Sequence, residues 1–355
     1  MGAVGPNTQW LESLSPWPLD GFGLERMHAL LEALGGPQSA YEAVHVVGTN
    51  GKSTATRTVE ALLLADGLSV GATVSPHVRS WDERVTIGGA PTDVEVALGR
   101  VRPAAERLAA TQFEVITAAA LAAFAEAAVD AAVVEAGLGG RFDATNVLRS
   151  RVVLLTNVSL EHTDVLGDTV EAIAHEKLAV AHPESIVVLP DSWFGPFVPA
   201  YRELRVGGAH EAAEAFAGHH LPPAPPIALP GRLESRPGEI RDGAHNADGV
   251  RWLLERLPPG DHVVCASILG DKDVDGMLAG LARAGTRFVA TTASNPRALM
   301  AGDLAAAAGS HFAHVEAVAD PTAALRRAHE LGGPVLVTGS LYLLADLERA
   351  EADER

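Results

Sequence analysis

Apolar and polar positions divide this chain into strand–helix repeats. Residues 44–47 (VHVV) form a short apolar run, followed by the glycine loop GTNGKST and a helical stretch over 54–66. That stretch places Val59, Leu62 and Leu63 on one face, and Gly67 ends it. A second run at 70–74 completes a βαβ unit, which is parallel and right-handed. Upstream, Leu24, Met27, Leu30, Leu31 and Leu34 mark a helical lead-in that stops at Gly35-Gly36-Pro37. Residues 79–90 are polar, end in Gly-Gly-Ala, and read as a mobile loop. Alanine-rich helices are predicted over 93–110 and 113–128, strands over 130–135, 152–156 and 185–189, and a helix over 169–181. Periodicity then fades between 191 and 230, and PPAPPIALPGR (222–232) reads as a stiff linker. Beyond it the alternation restarts, with strands near 239–241, 263–267, 287–291 and 335–338. Helices lie between them, at 247–257, 277–284, 301–308 and 322–330, and a last one opens at Gly339-Ser340. The pattern predicts an α/β protein with a larger domain at 1–228 and a smaller, Rossmann-type domain at 229–355. The second lacks the GxGxxG fingerprint of a dinucleotide site.

Composition narrows the partners. At 355 residues, 47% hydrophobic and 20% charged, the chain is expected to fold into more than one core. A net charge of −18 disfavours nucleic acid and anionic membranes as general partners. The single cysteine, Cys265, excludes an internal disulfide framework and a cysteine zinc site, which fits a reducing cytoplasm. The N-terminus has no basic, apolar leader, and the longest apolar stretch (116–124) is too short for a bilayer, so a cytoplasmic protein is expected.

The candidate chemistry gathers at predicted strand ends. Gly48, Thr49, Asn50, Gly51, Lys52, Ser53 and Thr54 suit a turn whose backbone N–H groups face phosphate oxygens at a helix N-terminus. Lys52 would reach the outer phosphates and a Ser53 hydroxyl could meet Mg²⁺. Two residues rather than four separate the glycines, and a bare GxxGKS also arises by chance; the flanking strand and helix favour the nucleotide reading. Ser75-Pro76-His77 follows the second strand. Glu135 closes an apolar strand beside Gly137, Gly139 and Gly140, where a carboxylate is costly unless paired or bound to a cation. His162 follows another strand end, where an isolated histidine is more often structural. Arg26 reads as part of a solvated helix face. Phe113-Glu114 fits a substrate-facing corner and, equally, a staple with a first-turn acid. These oxygen and nitrogen donors suit Mg²⁺ or Mn²⁺ on phosphate, giving a nucleotide-dependent transferase or ligase.

The blocks GTNGKST, SPH with ERV, EAGLGGRFDATN, SLEHTDVLGDT, AHEK, PGRLE, DGAHN, LGDKD, ASNPRA and VTGSLYL occur in that order. The chain thereby resembles the folylpolyglutamate synthase/dihydrofolate synthase family, within the Mur ligase superfamily, from Trp10 nearly to its end. The resemblance implies a Mur-ligase-like fold with an N-terminal P-loop ATPase domain and a C-terminal glutamate-ligase domain. It implies that ATP phosphorylates a folate or dihydropteroate carboxylate, and that L-glutamate displaces the phosphate. On that reading Gly48–Thr54 hold ATP, Ser53 or Thr54 meets the first Mg²⁺, and Ser75, Glu135 and His162 hold a second metal. Lys177 matches a lysine carbamylated in the superfamily. Arg232, Asp242, His245, Asn246 and Asn295 serve the nucleotide or intermediate, Arg297 the glutamate, and Arg26, Phe113 and Asp143 the pterin side. Lys52, His162, Lys177 and His245 are the expected catalytic set, in a monomer. GKST in place of the family's GKGS, a short stretch between Lys177 and Arg232, and Asp82 before Glu83-Arg84 depart from the pattern. They leave open another carboxylate acceptor, or an ATP-binding paralogue without catalysis.

Overall fold

The computed structural model describes residues 5–18, 21, 23–225 and 227–353. The chain divides into two units, Met1–Ile227 and Ala228–Arg355. The first begins with helices α1 (Pro6–Ser13) and α2 (Glu25–Ala33), then strand β1 (Glu42–Val47), α3 (Lys52–Ala65) and β2 (Val70–Thr73). It continues with β3 (Val85–Ile87), β4 (Ala90–Pro91), α4 (Val94–Leu108), α5 (Gln112–Glu126), β5 (Ala131–Glu135) and β6 (Val152–Leu155). Helices α6 (Thr163–Leu166) and α7 (Val170–Leu178), strands β7 (Ile186–Leu189) and β8 (Glu203–Val206), and α8 (Ala209–Ala217) complete it.

Its sheet has the order β4-β3-β2-β5-β1-β6-β7-β8, parallel from β2 to β8. Strands β1, β2, β5, β6 and β7 are buried along nearly their whole length, as a parallel sheet covered on both faces requires. One face packs against α3 and α8, with Val59, Leu62, Leu63, Ala212 and Phe216 against the strands. The other packs partly against α4 and α5, through Leu98, Val101, Val115, Leu121 and Phe124. β1 lies between β5 and β6, so the strand order reverses there, and the crevice outside the carboxyl ends at such a point is the usual ligand site.

Two expectations are corrected. Residues 79–90 are no mobile loop: they hold a short 3-10 turn at Trp81–Arg84 and the antiparallel β3–β4 hairpin. Val85 and Ile87 supply the strand, and Gly88 and Gly89 turn it at φ 62° and 78°. The stretch 191–230 is not irregular throughout, because β8 extends the sheet and α8 packs on α3. β8 is half-exposed and carries Glu203 and Arg205, so it lacks an apolar run to betray it.

The second unit comprises β9 (Glu234–Arg236), β10 (Glu239–Arg241), α9 (Ala247–Leu254), β11 (Val263–Ala266) and α10 (Val274–Leu281). It ends with β12 (Arg287–Ala290), α11 (Ala301–Ala308), β13 (His314–Ala317), α12 (Pro321–Glu330), β14 (Val335–Thr338) and α13 (Leu341–Asp353). The sheet order is β13-β12-β11-β14-β10-β9, with β9 alone antiparallel. β9 and β13 are further strands that the apolar pattern does not reveal. Among the described residues no helix is long and apolar enough to cross a membrane.

Candidate active site

The glycine loop is clamped by the chain that leaves β6. Thr49 N–H donates to Asn157 O at 3.0 Å, Asn50 N–H to Asn157 Oδ1 at 2.8 Å, and Thr156 Oγ1 to Asn50 O at 2.8 Å. A Cβ on Gly48 would lie 1.9 Å from Thr156 Oγ1, at φ 150°, so only glycine fits. Gly51, at φ 79°, turns the chain into α3, whose first turn carries Lys52 and Ser53. Lys52 Nζ donates to Gly48 O (3.1 Å) and Thr49 O (3.0 Å), while Lys177 Nζ from α7 donates to the same Gly48 O at 2.8 Å. Two amines therefore meet at the loop's first carbonyl, beside a helix N-terminus that favours anions. Thr156 and Asn157 escaped the sequence reading as loop partners; their signal is two polar residues directly after a buried strand.

Three predicted residues come together at the ends of β2 and β5. Glu135 is 4% exposed, and its Oε1 accepts from Ser53 Oγ at 3.1 Å. Its Oε2 accepts from the backbone N–H of Ser75 at 3.0 Å, so Ser75 meets it through the main chain rather than its hydroxyl. Of the two loop hydroxyls, Ser53 faces Glu135 and Thr54 is exposed. His162 caps α6 at φ 51°, with Nε2 3.9 Å from Glu161 Oε1. Among the described residues no group of three or more His, Cys, Asp and Glu gathers to hold a metal ion. A hydroxyl and a buried carboxylate are nevertheless hard oxygen donors, and fit Mg²⁺ that takes its other ligands from substrate phosphate and water.

Lys177 is 5% exposed, and burial first, then the Lys52 charge, brings its pKa from 10.5 down to about 7. Between those values the unfolded chain binds a proton that the folded chain does not. Stability therefore rises with pH across that window, by up to ~1.4 kcal/mol per pH unit. Lys177→Met is expected to remove this slope, read as the difference between urea-unfolding curves of the two proteins at about pH 7.5 and 9.5. Parallel curves would show that the amine is not held neutral.

The remaining predicted residues divide by unit. In the first, Arg26 is not a free helix-face cation: its Nε donates to Glu114 Oε2 at 2.9 Å, and Glu114 also closes the capping box with Thr111. The Phe113-Glu114 corner thus has its first-turn acid committed locally, while the Phe113 ring closes over Gly137. Asp143 is 6% exposed and turns inward, accepting from Leu138 N–H (2.7 Å) and Thr145 N–H (3.0 Å). Burial nevertheless raises its pKa.

In the second unit Asp242 braces the turn after β10, accepting from Leu233 N–H (2.8 Å) and Ala244 N–H (2.9 Å); burial raises its pKa. Arg232 Nη1 lies over Gly243, where a Cβ would come within 2.7 Å of it. His245 Nδ1 donates to Gly243 O at 2.9 Å, which leaves the lone pair of the neutral ring on Nε2. Asn246 caps α9 through Gly249 N–H at 2.7 Å. Asn295 Oδ1 accepts from Arg297 N–H at 2.9 Å, and Arg297 pairs with Asp271 at 3.0 Å. These two stand apart from the Asp242–Asn246 turn in the hydrogen bonds they make.

The chain that carries this loop also matches known proteins in sequence. Residues 46–192 match the family described as the Mur ligase middle domain, and residues 231–341 the Mur ligase glutamate ligase domain. The dihydrofolate synthase/folylpolyglutamate synthase of Mycobacterium tuberculosis is 33% identical over 382 residues, covering 81% of this chain and 78% of that one. This chain belongs to the folylpolyglutamate synthase/dihydrofolate synthase family. Solved members of the family agree in fold. The Escherichia coli FolC complex with DHPP and ADP superposes with a TM-score of 0.87 at 26% identity, covering 99% of each chain. The Yersinia pestis bifunctional enzyme with Mn, AMPPNP and L-glutamate bound gives 0.85 at 29% identity, covering 98% of each. The α/β fold expected of a Mur ligase is thus the fold found.

Proposed function

We propose that this protein is an ATP-dependent ligase that forms an amide between L-glutamate and a folate or dihydropteroate carboxylate. The observation that carries the reading is the contact of the loop serine, Ser53, with the strand-end carboxylate Glu135, one residue along from Lys52. In the reaction a carboxylate oxygen attacks the γ-phosphorus, the bond to ADP breaks, and an acyl phosphate forms. The glutamate amine then attacks the acyl carbon, phosphate leaves, and the nitrogen loses a proton.

Each residue has a physical task. Gly48–Thr54 cradle phosphate with backbone N–H groups, and Lys52 turns from its two carbonyls to neutralise the transferring phosphoryl. Ser53, Ser75, Glu135 and His162 would hold divalent metal, which when bound offsets charge on the phosphates. Lys177, its pKa brought down to about 7, has a substantial uncharged fraction near neutral pH and in that form can take up CO₂ as a carbamate, releasing one proton. Bicarbonate-dependent turnover and a mass gain at Lys177 would support that; neither would remove it. Arg232, Asp242, His245, Asn246 and Asn295 are assigned to the nucleotide or intermediate and Arg297 to glutamate. Arg26, Phe113 and Asp143 are assigned to the acceptor side, Arg26 and Asp143 through the loop and helix they hold. Residues 1–228 act as the ATP-binding domain and 229–355 as the glutamate-ligase domain of a cytoplasmic monomer.

The deciding experiment is phosphate release with dihydropteroate, tetrahydrofolate and other carboxylate acceptors, each with and without L-glutamate. Release that needs both a folate-type acceptor and glutamate is expected. Release only with a different acceptor moves the protein to another Mur-type substrate. Tight ATP binding with no release under any condition makes it a non-catalytic paralogue.

A further inference from the structure

Strand β1 carries one polar side chain in its apolar interior. His45 lies between Val44 and Val46, flanked by β5 and β6, and is 0% exposed. Its Nε2 sits 2.7 Å from Thr145 Oγ1, and its Nδ1 meets no hydrogen-bond partner among the described residues. A buried nitrogen left unpaired is destabilising, and an aliphatic side chain would fill the same place without that penalty. The histidine is therefore explained by what its other nitrogen does. The Thr145 hydroxyl donates to Asp143 Oδ1, which as a carboxylate oxygen can only accept. With that proton committed, the Thr145 oxygen accepts from the ring, which fixes the His45 proton on Nε2 and the lone pair on Nδ1. Imidazole, hydroxyl and carboxylate thus form one chain of donors, each bond polarising the next.

The chain ends on the loop that joins two parts of the site. Asp143 gathers Leu138 N–H and Thr145 N–H onto its two oxygens, shaping residues 137–146. That loop has little room to shift. A Cβ on Gly137 would lie 2.6 Å from Phe113 Cζ, and one on Gly140 only 2.4 Å from Lys177 O. Arg141 N–H further ties it to Glu176 O at 3.1 Å.

We propose that His45 is a positioning residue for the acceptor: through Thr145 it fixes the Asp143 carboxylate, and with it the 137–146 loop between Phe113 and Lys177. The inference rests on the acceptor-side reading of Phe113 and Asp143 above. It assigns a task to a side chain that the reaction itself never touches.

The test compares wild type with His45→Leu, His45→Gln and Thr145→Val. Gln keeps an N–H near the Nε2 position, Leu keeps the volume without it, and Val breaks the next link. Amide hydrogen exchange of residues 137–146 is expected to quicken about tenfold in His45→Leu and Thr145→Val, and to return toward wild type in His45→Gln. The double variant His45→Leu/Thr145→Val should add little to either single one, since both break one chain. The acceptor KM should rise about tenfold in the Leu and Val variants, with the ATP KM within about twofold and the thermal midpoint not lowered in His45→Leu. Unchanged loop exchange in His45→Leu overturns the proposal. So does faster exchange spread over β1 and residues 48–58 with both KM values rising, which would make His45 part of the general frame. If wild type turns over no folate acceptor, the ligase reading falls, and the exchange data alone decide whether His45 holds the loop.

Discussion

Lys52→Ala is expected to lower phosphate release by roughly 10²–10³-fold or more, the scale of removing one preorganised donor from developing charge. The fold should survive it. Lys52 is half-buried at the start of α3, and its bonds go to Gly48 O and Thr49 O, the first of which keeps its bond from Lys177. Alanine is also the better helix former at that position. The thermal midpoint should therefore move little while turnover collapses. Lys52→Arg should not restore the rate, because the planar guanidinium needs more room than a point charge on a flexible stem. Activity within about tenfold of wild type in Lys52→Ala, measured as phosphate released per enzyme with glutamate saturating, would take Lys52 out of the phosphoryl-transfer step.

Glu135→Gln is expected to separate catalysis from stability in the opposite sense. The amide keeps a carbonyl oxygen that can accept from Ser53 Oγ or Ser75 N–H, but loses the charge. Burying a 4%-exposed carboxylate costs desolvation that an amide does not, so the neutral variant should be as stable as wild type, or more so, in EDTA. Turnover should fall by at least ~10²-fold, and the rise in thermal midpoint that Mn²⁺ with ADP gives wild type should shrink. Equal stabilisation of both proteins by metal and nucleotide would show that Glu135 only buttresses the loop.

The strand–loop–helix at 44–66 was legible because three independent signals coincide there: a buried run, glycines at a turn, and a helical stripe. Glu135 was legible for a different reason, since an acid has no place at the end of DAAVVE unless something faces it. The edges of both sheets were not. β8 and β13 expose every residue at least in part, so ELRV and HVEA offer no apolar alternation, and α8 reads as alanine and histidine among prolines. Side-chain direction was equally hidden. Asp143 looks like a loop acid open to substrate and is an inward organiser; Asn246 looks like a ligand and caps α9; Ser75 approaches Glu135 by its backbone. His45 was invisible for a simpler reason: inside VHVV it reads as one more buried strand residue, and only its partners distinguish it.

The packing of α8 on α3 has a practical side. The match to the Mur ligase middle domain ends at residue 192, but α8, which packs beside the P-loop helix with Ala212, Ala213, Ala215 and Phe216 in the same core, comes later. A fragment cut at the family boundary would strip α8 from α3, β6 and β7 and leave β7 as a bare sheet edge, a template for self-association. On the ribosome the same dependence delays closure of the nucleotide-binding helix until α8 has emerged, so expression of this half alone should extend past residue 217.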